Sequence, residues 1–204
     1  MATADIRDAA TLPPWQRVLD FWFLPEADPA HGEDRAEWFR KDPAFDASIG
    51  ERFLADIETA VGGGYTEWDA DPRGLGSLAK IIVLDQFTRN VFRDTVRAFS
   101  GDALALAAAT ALVDSGRDRL RSRVQRSFVY LPFEHAEDMD SQHKGVALYE
   151  ALGRDSGREG AAEWAIKHRD IIARFGRFPH RNRMLGREST ADEIEFLKMP
   201  GSSF

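Results

Sequence analysis

Apolar residues recur along this chain at helical spacing, and the breaks between them carry helix-terminating chemistry. Trp15, Val18, Leu19 and Trp22 fall at i, i+3, i+4 and i+7 behind Pro13 and Pro14, which predicts a short amphipathic helix from there. Asp42-Pro43 supplies a capping carboxylate and a first-turn proline. Phe45, Ile49, Phe53 and Ile57 follow four apart as a core-facing ridge, ended by Gly62, Gly63 and Gly64. The stretch SLAKIIVLDQFTRNVFR is apolar on all sides through Leu84 and predicts a central buried helix, because its neighbours lack strand-like alternation. An alanine-rich helix follows in DALALAAATALVDSG, with Gly116 as its stop.

Val124, Phe128 and Leu131 form the next face, and Pro132 is expected to open a helix that places Glu134 in its first turn. Two further helices are predicted to end at Gly153 and Gly176. Thr190-x-x-Glu193 reads as a capping box for a short last helix before Pro200. The pattern predicts roughly eight helices in one all-α domain of antiparallel helix hairpins over residues 15–198. Short tails, 1–14 and 199–204, flank it. No internal similarity shows at the roughly 34-residue period of helical solenoids.

Composition narrows the functional classes. The 204 residues contain no cysteine, which removes disulfides, thiolate nucleophiles and thiolate-bound metals, and suits a reducing cytoplasm. The N-terminal stretch carries acids and no long apolar run, and no apolar run approaches the roughly 20 residues of a membrane helix, so the expectation is a soluble cytoplasmic protein without membrane contact. A net charge of −7 disfavours a general nucleic-acid surface. That charge is uneven. Ile166 to Glu188 holds seven basic residues against Asp170 and Glu188, a local +5 that leaves −12 on the remainder.

Three polar clusters interrupt the apolar runs. In LDQFTRNVFR, Arg89 and Arg93 share a face if the helix continues, with Asp85 one turn earlier and Asn90 beside them. In FEHAEDMDSQ, Glu134, His135, Glu137, Asp138 and Gln142 form a second cluster. In RFGRFPHRNRMLGREST, Arg177, His180, Arg181 and Asn182 are held by Pro179 between Gly176 and Gly186. Planar guanidiniums take carboxylate or phosphate bidentately, and arginine outnumbers lysine six to one across this basic segment. His168 lies on an apolar stripe with Ile172 and Phe175. Glu-x-x-His pairs, a Gly-x-Ser-x-Gly elbow and a glycine-rich phosphate loop are absent, so neither a metal nor a cofactor is implied.

The blocks LDFWF, LDQFTRNVFR, YLPFEHAEDMDSQ and HRDIIARFGRFPHRNRMLGRESTADE recur in order from about residue 15 to residue 197. They resemble the signature blocks of a bacterial family known as domain of unknown function 924. The resemblance implies an all-α fold similar to tetratricopeptide-repeat proteins, with stacked hairpins forming a curved groove, and it implies no reaction. Three functional expectations stand side by side. In the first, a binding scaffold grips an anionic small molecule or acidic peptide end with Arg89, Arg93, Arg177 and Arg181, oriented by Glu134, His135 and Asp138. In the second, an enzyme uses His135 or His168 as acid or base beside the same anion. In the third, every arginine is matched by an internal carboxylate and the clusters only hold the fold together. Oligomeric state is left open by the sequence.

Overall fold

A computed structural model describes residues 12–203. The described residues form helices and turns without strands. Helix α1 is Gln16–Phe23, and it buries Val18, Leu19, Trp22 and Phe23. Helix α2, Pro43–Val61, starts where Asp42 accepts hydrogen bonds from the amides of Ala44 and Phe45, and stops at Gly62. Ile49, Phe53 and Ile57 of its apolar ridge are buried.

The central run is helical, as its all-round apolarity predicts, but it is not one regular helix. Helix α3, Leu75–Ile81, passes into a π-helical stretch, Ile82–Phe87, and then into α4, Thr88–Val91. Side chains bond to carbonyls where the backbone pattern changes. Thr88 Oγ1 donates to Leu84 O at 2.7 Å, and Arg89 Nη1 donates to Asp85 O at 2.8 Å. All six residues of the π stretch are buried, Asp85 and Gln86 among them.

Helix α5, Asp102–Asp114, ends before Gly116 in the left-handed region (φ 71°). Helix α6, Arg123–His135, opens with a Ser122–Gln125 capping box. Pro132 lies inside α6 near its end, contrary to the expectation that it opens a helix. One missing amide is tolerated there because only a single further turn follows. Glu134 consequently sits at a helix C-terminus. Helix α7 is Met139–Ser156, capped by Asp138 and ended by Gly157 rather than Gly153. Helices α8, Glu163–Phe175, and α9, Ala191–Phe196, end and begin as predicted, at Gly176 and at the Thr190–Glu193 capping box.

One hydrophobic cluster runs from α1 through α8, and a smaller one gathers Ile171, Ile172 and Phe178 with Met139, Phe175 and Phe196. Among the described residues, Val96–Asp114 has the length and composition of a membrane span, with a mean hydropathy of 1.4. It is a 3₁₀ turn, Val96–Phe99, followed by the 13-residue α5. Thirteen residues reach only about 20 Å, against a hydrocarbon core of about 30 Å.

Candidate functional site

Asp85 is the centre of a buried polar cluster. Its residue is 1% exposed. His135 Nδ1 bonds Oδ1 at 2.7 Å, Arg89 Nη1 lies 3.0 Å from the same oxygen, and Gln86 Nε2 donates to Oδ2 at 2.6 Å. Burial alone would raise this carboxyl, but the charge of Arg89 and then His135 outweigh it and hold it well below the usual carboxylate range. The π stretch points Asp85 inward while Arg89, four residues on, reaches both Asp85 and Asp102, the latter at 2.9 Å.

Asp102 comes into reach through a close backbone contact. A Cβ on Gly101 would lie 2.1 Å from the Leu84 carbonyl oxygen, so glycine alone lets the start of α5 rest against the π stretch. Arg181 approaches the same aspartate from the C-terminal loop, with Nη1 at 3.5 Å from Asp102 Oδ2. Its guanidinium lies over Phe99 and Phe178, at 4.8 and 4.5 Å from the ring centroids. Burial, then the neighbouring charge of Arg89, push Arg181 down to about 10. Its Nε is buried without a hydrogen-bond partner.

The histidines complete the cluster. The His135 and His168 rings are 6.2 Å apart, and His168 and His180 each pack on Phe178, at 5.6 and 5.7 Å. His168 Nδ1 donates to Trp164 O at 2.8 Å and lies 3.3 Å from Glu134 Oε2. Burial lowers all three. His168 falls to about 3, with His135 beside it adding to the effect, and His180 to about 4, with Arg181 adding. His135 is lowered by burial and then by Arg89. Glu134, 3% exposed, is pushed up to about 8 by burial, with the Asp85 charge reinforcing it. At neutral pH the cluster therefore combines an ionised aspartate, neutral imidazoles and a largely protonated glutamic acid. That separation of pKa values between two carboxyls is what acid–base chemistry uses.

The structure thus brings together Arg89, Glu134, His135, His168, His180 and Arg181. Other predicted residues lie apart, each engaged by structural bonds. Helix α4 stops at Val91, so Arg93 does not share a face with Arg89; it pairs with both oxygens of Asp46 at 3.0 Å, and Asn90 donates to Asp46 at 2.6 Å. Arg177 grips Glu193 through two bonds of 2.7 and 2.8 Å. Asn182 joins that lock, donating to Ser189 at 3.0 Å and to Glu193 at 3.3 Å. Asp138 is exposed and caps α7 through Ser141 N at 2.8 Å. Gln142 is buried and donates to the carbonyls of Glu134 and Ala136 at 2.6 and 2.8 Å, closing the end of α6.

Asp102, Phe99, Phe178 and Arg187 were not singled out as site residues by sequence. Asp102 reads as an ordinary first-turn acid, and only Gly101 before it signals a close approach. Arg187 ties the basic loop to Glu137 with bonds of 2.5 and 3.0 Å, and Phe178 N donates to Glu137 at 2.8 Å. Among the described residues no group of three histidine or carboxylate side chains has metal-binding geometry. One surface hollow is lined by Ala60, Lys80, Leu84 and Ala108, and another by Arg174, Arg177, Thr190 and Glu193. The cluster opens instead through the partly exposed side chains of His135, Arg89 and Asp102, at 15, 20 and 24%.

A solved structure of a protein of unknown function from Agrobacterium tumefaciens superposes with a TM-score of 0.78 at 38% identity, covering 90% of this chain and 96% of that one. Comparison with curated proteins finds no match. The model of a family described as a bacterial protein of unknown function (DUF924) matches residues 18–201, and with nearly the whole domain matched this chain belongs to that family.

Proposed function

We propose that the chain binds a small anionic molecule, a carboxylate or phosphate, where Arg181, Arg89 and His135 meet. The observation that carries this reading is the unsatisfied Nε of Arg181. Its side chain is 8% exposed, its guanidinium lies over two aromatic rings, and it shares an aspartate that Arg89 already bonds at 3.1 Å. A carboxylate taking Nε together with a terminal nitrogen would satisfy the buried donor and pair the charge at once. The narrow exposure of the cluster favours a small ligand over a peptide end. Arg93 and Arg177 drop out of the grip, because Asp46 and Glu193 hold them.

A second reading, acid–base catalysis on that ligand, is favoured by the 2.7 Å Asp85–His135 bond. An imidazole donating Nδ1–H to a buried aspartate keeps the Nε2 lone pair for a proton. Binding is tested by melting the purified protein against acetate, succinate and phosphate at constant ionic strength. Stabilisation by one of them is expected, and Arg181→Lys, which keeps the charge but removes the fork, is expected to abolish it. An unaltered response in Arg181→Lys would refute the site. Any turnover of the bound compound is expected to fall by about 10²–10⁴ in His135→Gln.

A further inference from the structure

Two buried polar atoms of opposite kind lie in the cluster around Arg181, and among the described residues neither has a hydrogen-bond partner. One is a donor, Arg181 Nε, and the other is an acceptor, Asp102 Oδ1. They belong to side chains that meet, since Arg181 Nη1 lies 3.5 Å from Asp102 Oδ2. Asp102 Oδ1 does feel the charge of Arg89, whose Nη1 is 2.9 Å away, but that contact makes no directed hydrogen bond. The bond between these two residues runs from Arg89 Nη2 to Oδ2, at 3.1 Å. A carboxylate oxygen with lone pairs to spare therefore sits beside an unused N–H.

A single nitrogen ties this pair to His135. Arg89 Nη1 is 2.9 Å from Asp102 Oδ1 and 3.0 Å from Asp85 Oδ1, and the same Asp85 oxygen bonds His135 Nδ1 at 2.7 Å. With Nδ1–H given to Asp85, a neutral imidazole keeps its lone pair on Nε2, a second acceptor in this part of the cluster. Acceptors of this kind call for a proton donor, which a bare carboxylate does not bring.

Charge points the same way. Arg89 and Arg181 face Asp85 and Asp102, so the cluster is already balanced. Glu137 adds nothing, because Arg187 holds it with bonds of 2.5 and 3.0 Å. A lone carboxylate would bring an unmatched negative charge against a buried arginine, and unmatched charge is costly where water is excluded. A ligand that carries its own cation beside the carboxylate keeps the balance.

We propose that the molecule held here is a free amino acid, its carboxylate on Arg181 Nε and a terminal nitrogen, its ammonium donating to Asp102 Oδ1. This rests on the carboxylate site proposed above and names what that carboxylate belongs to. Asp102, an obstacle to a simple anion, becomes the partner of the cation.

Calorimetry on the full chain compares L-alanine with propionate, which lacks the ammonium, and with N-acetyl-L-alanine, in which acetylation removes its charge. L-alanine is expected to bind about tenfold or more tighter than either. Arg181→Lys should weaken all three, whereas Asp102→Asn should weaken L-alanine alone and bring it to the level of propionate. Propionate binding as tightly as L-alanine, with both lost in Arg181→Lys, would overturn the amino-acid assignment and leave the carboxylate site standing. Preference for L-alanine undiminished in a folded Asp102→Asn would also overturn it. No saturable heat from any of the three would remove both readings. If Asp102→Asn does not fold, the comparison of the three compounds on the parent protein decides.

Discussion

Removing the charge of Asp85 leaves Arg89 with Asp102 as its remaining acid and His135 without its anchor. Breaking a buried pair by taking away one partner typically costs about 3–5 kcal/mol, so Asp85→Asn is expected to lower the urea midpoint by that equivalent. A loss below about 1 kcal/mol would mean that the pair behaves like an exposed one. Glu134 gives a pH test of opposite character. Its folded pKa, about 8, stands above the ordinary 4.5, so the fold binds its proton more tightly than the unfolded chain does. That contribution is complete below about pH 4.5 and is lost as pH rises through 8. Glu134→Gln should therefore gain on the parent in urea midpoint between pH 5 and pH 8, and a constant difference would show an ionised, solvated Glu134. The sequence exposed Glu134 and His135 as polar interruptions of an apolar run. It misjudged their setting because Pro132 has two meanings, first turn or tolerated interior, and local chemistry does not separate them.

Helix ends were legible where a cap is encoded locally. Asp42-Pro43, Gly116, Gly176 and the Thr190–Glu193 box all stand where the pattern predicted. Thr190→Ala should cost about 1 kcal/mol, a fall of about 2–4 °C in Tm, because it removes one cap bond and leaves the Arg177–Glu193 lock intact. An unchanged Tm would mean that the lock, not the cap, fixes α9. The π stretch was not legible. Its backbone shift responds to packing against α2, α5 and α6, which no run of Ile, Val and Leu announces. The early end of α4 at Val91, just beyond it, separates Arg89 from Arg93 and undid the expectation of two arginines on one face. Gly101 offers the corresponding test. A methyl group there would meet the Leu84 carbonyl, so Gly101→Ala should destabilise by about 1–3 kcal/mol and draw Asp102 away from Arg89. Crystals of the variant with both contacts preserved would refute this role of the glycine.

Across the whole molecule, the +5 segment and the acidic remainder are not separate surfaces but the two halves of a clasp. Glu137 on the α6–α7 turn receives Arg187 and the Phe178 amide, while Glu193 on α9 receives Arg177 and Asn182. The charge asymmetry was visible in the sequence, yet which acid would meet which arginine depends on how α8 returns along α6 and α7, a long-range matter. Arg181 reaches Asp102 from the loop that this clasp ties down, and Phe178 joins Ile171 and Ile172 in the small hydrophobic cluster beside it. Glu137→Gln removes one jaw and leaves the main core untouched. Residues 177–197 should then lose hydrogen-exchange protection while α2 and α3 keep theirs. If the anion site depends on Arg181 as proposed, carboxylate affinity should fall in the same variant although no residue touching the ligand has changed. Faster exchange with undiminished affinity would separate the two, leaving the clasp as a structural device and moving the ligand elsewhere.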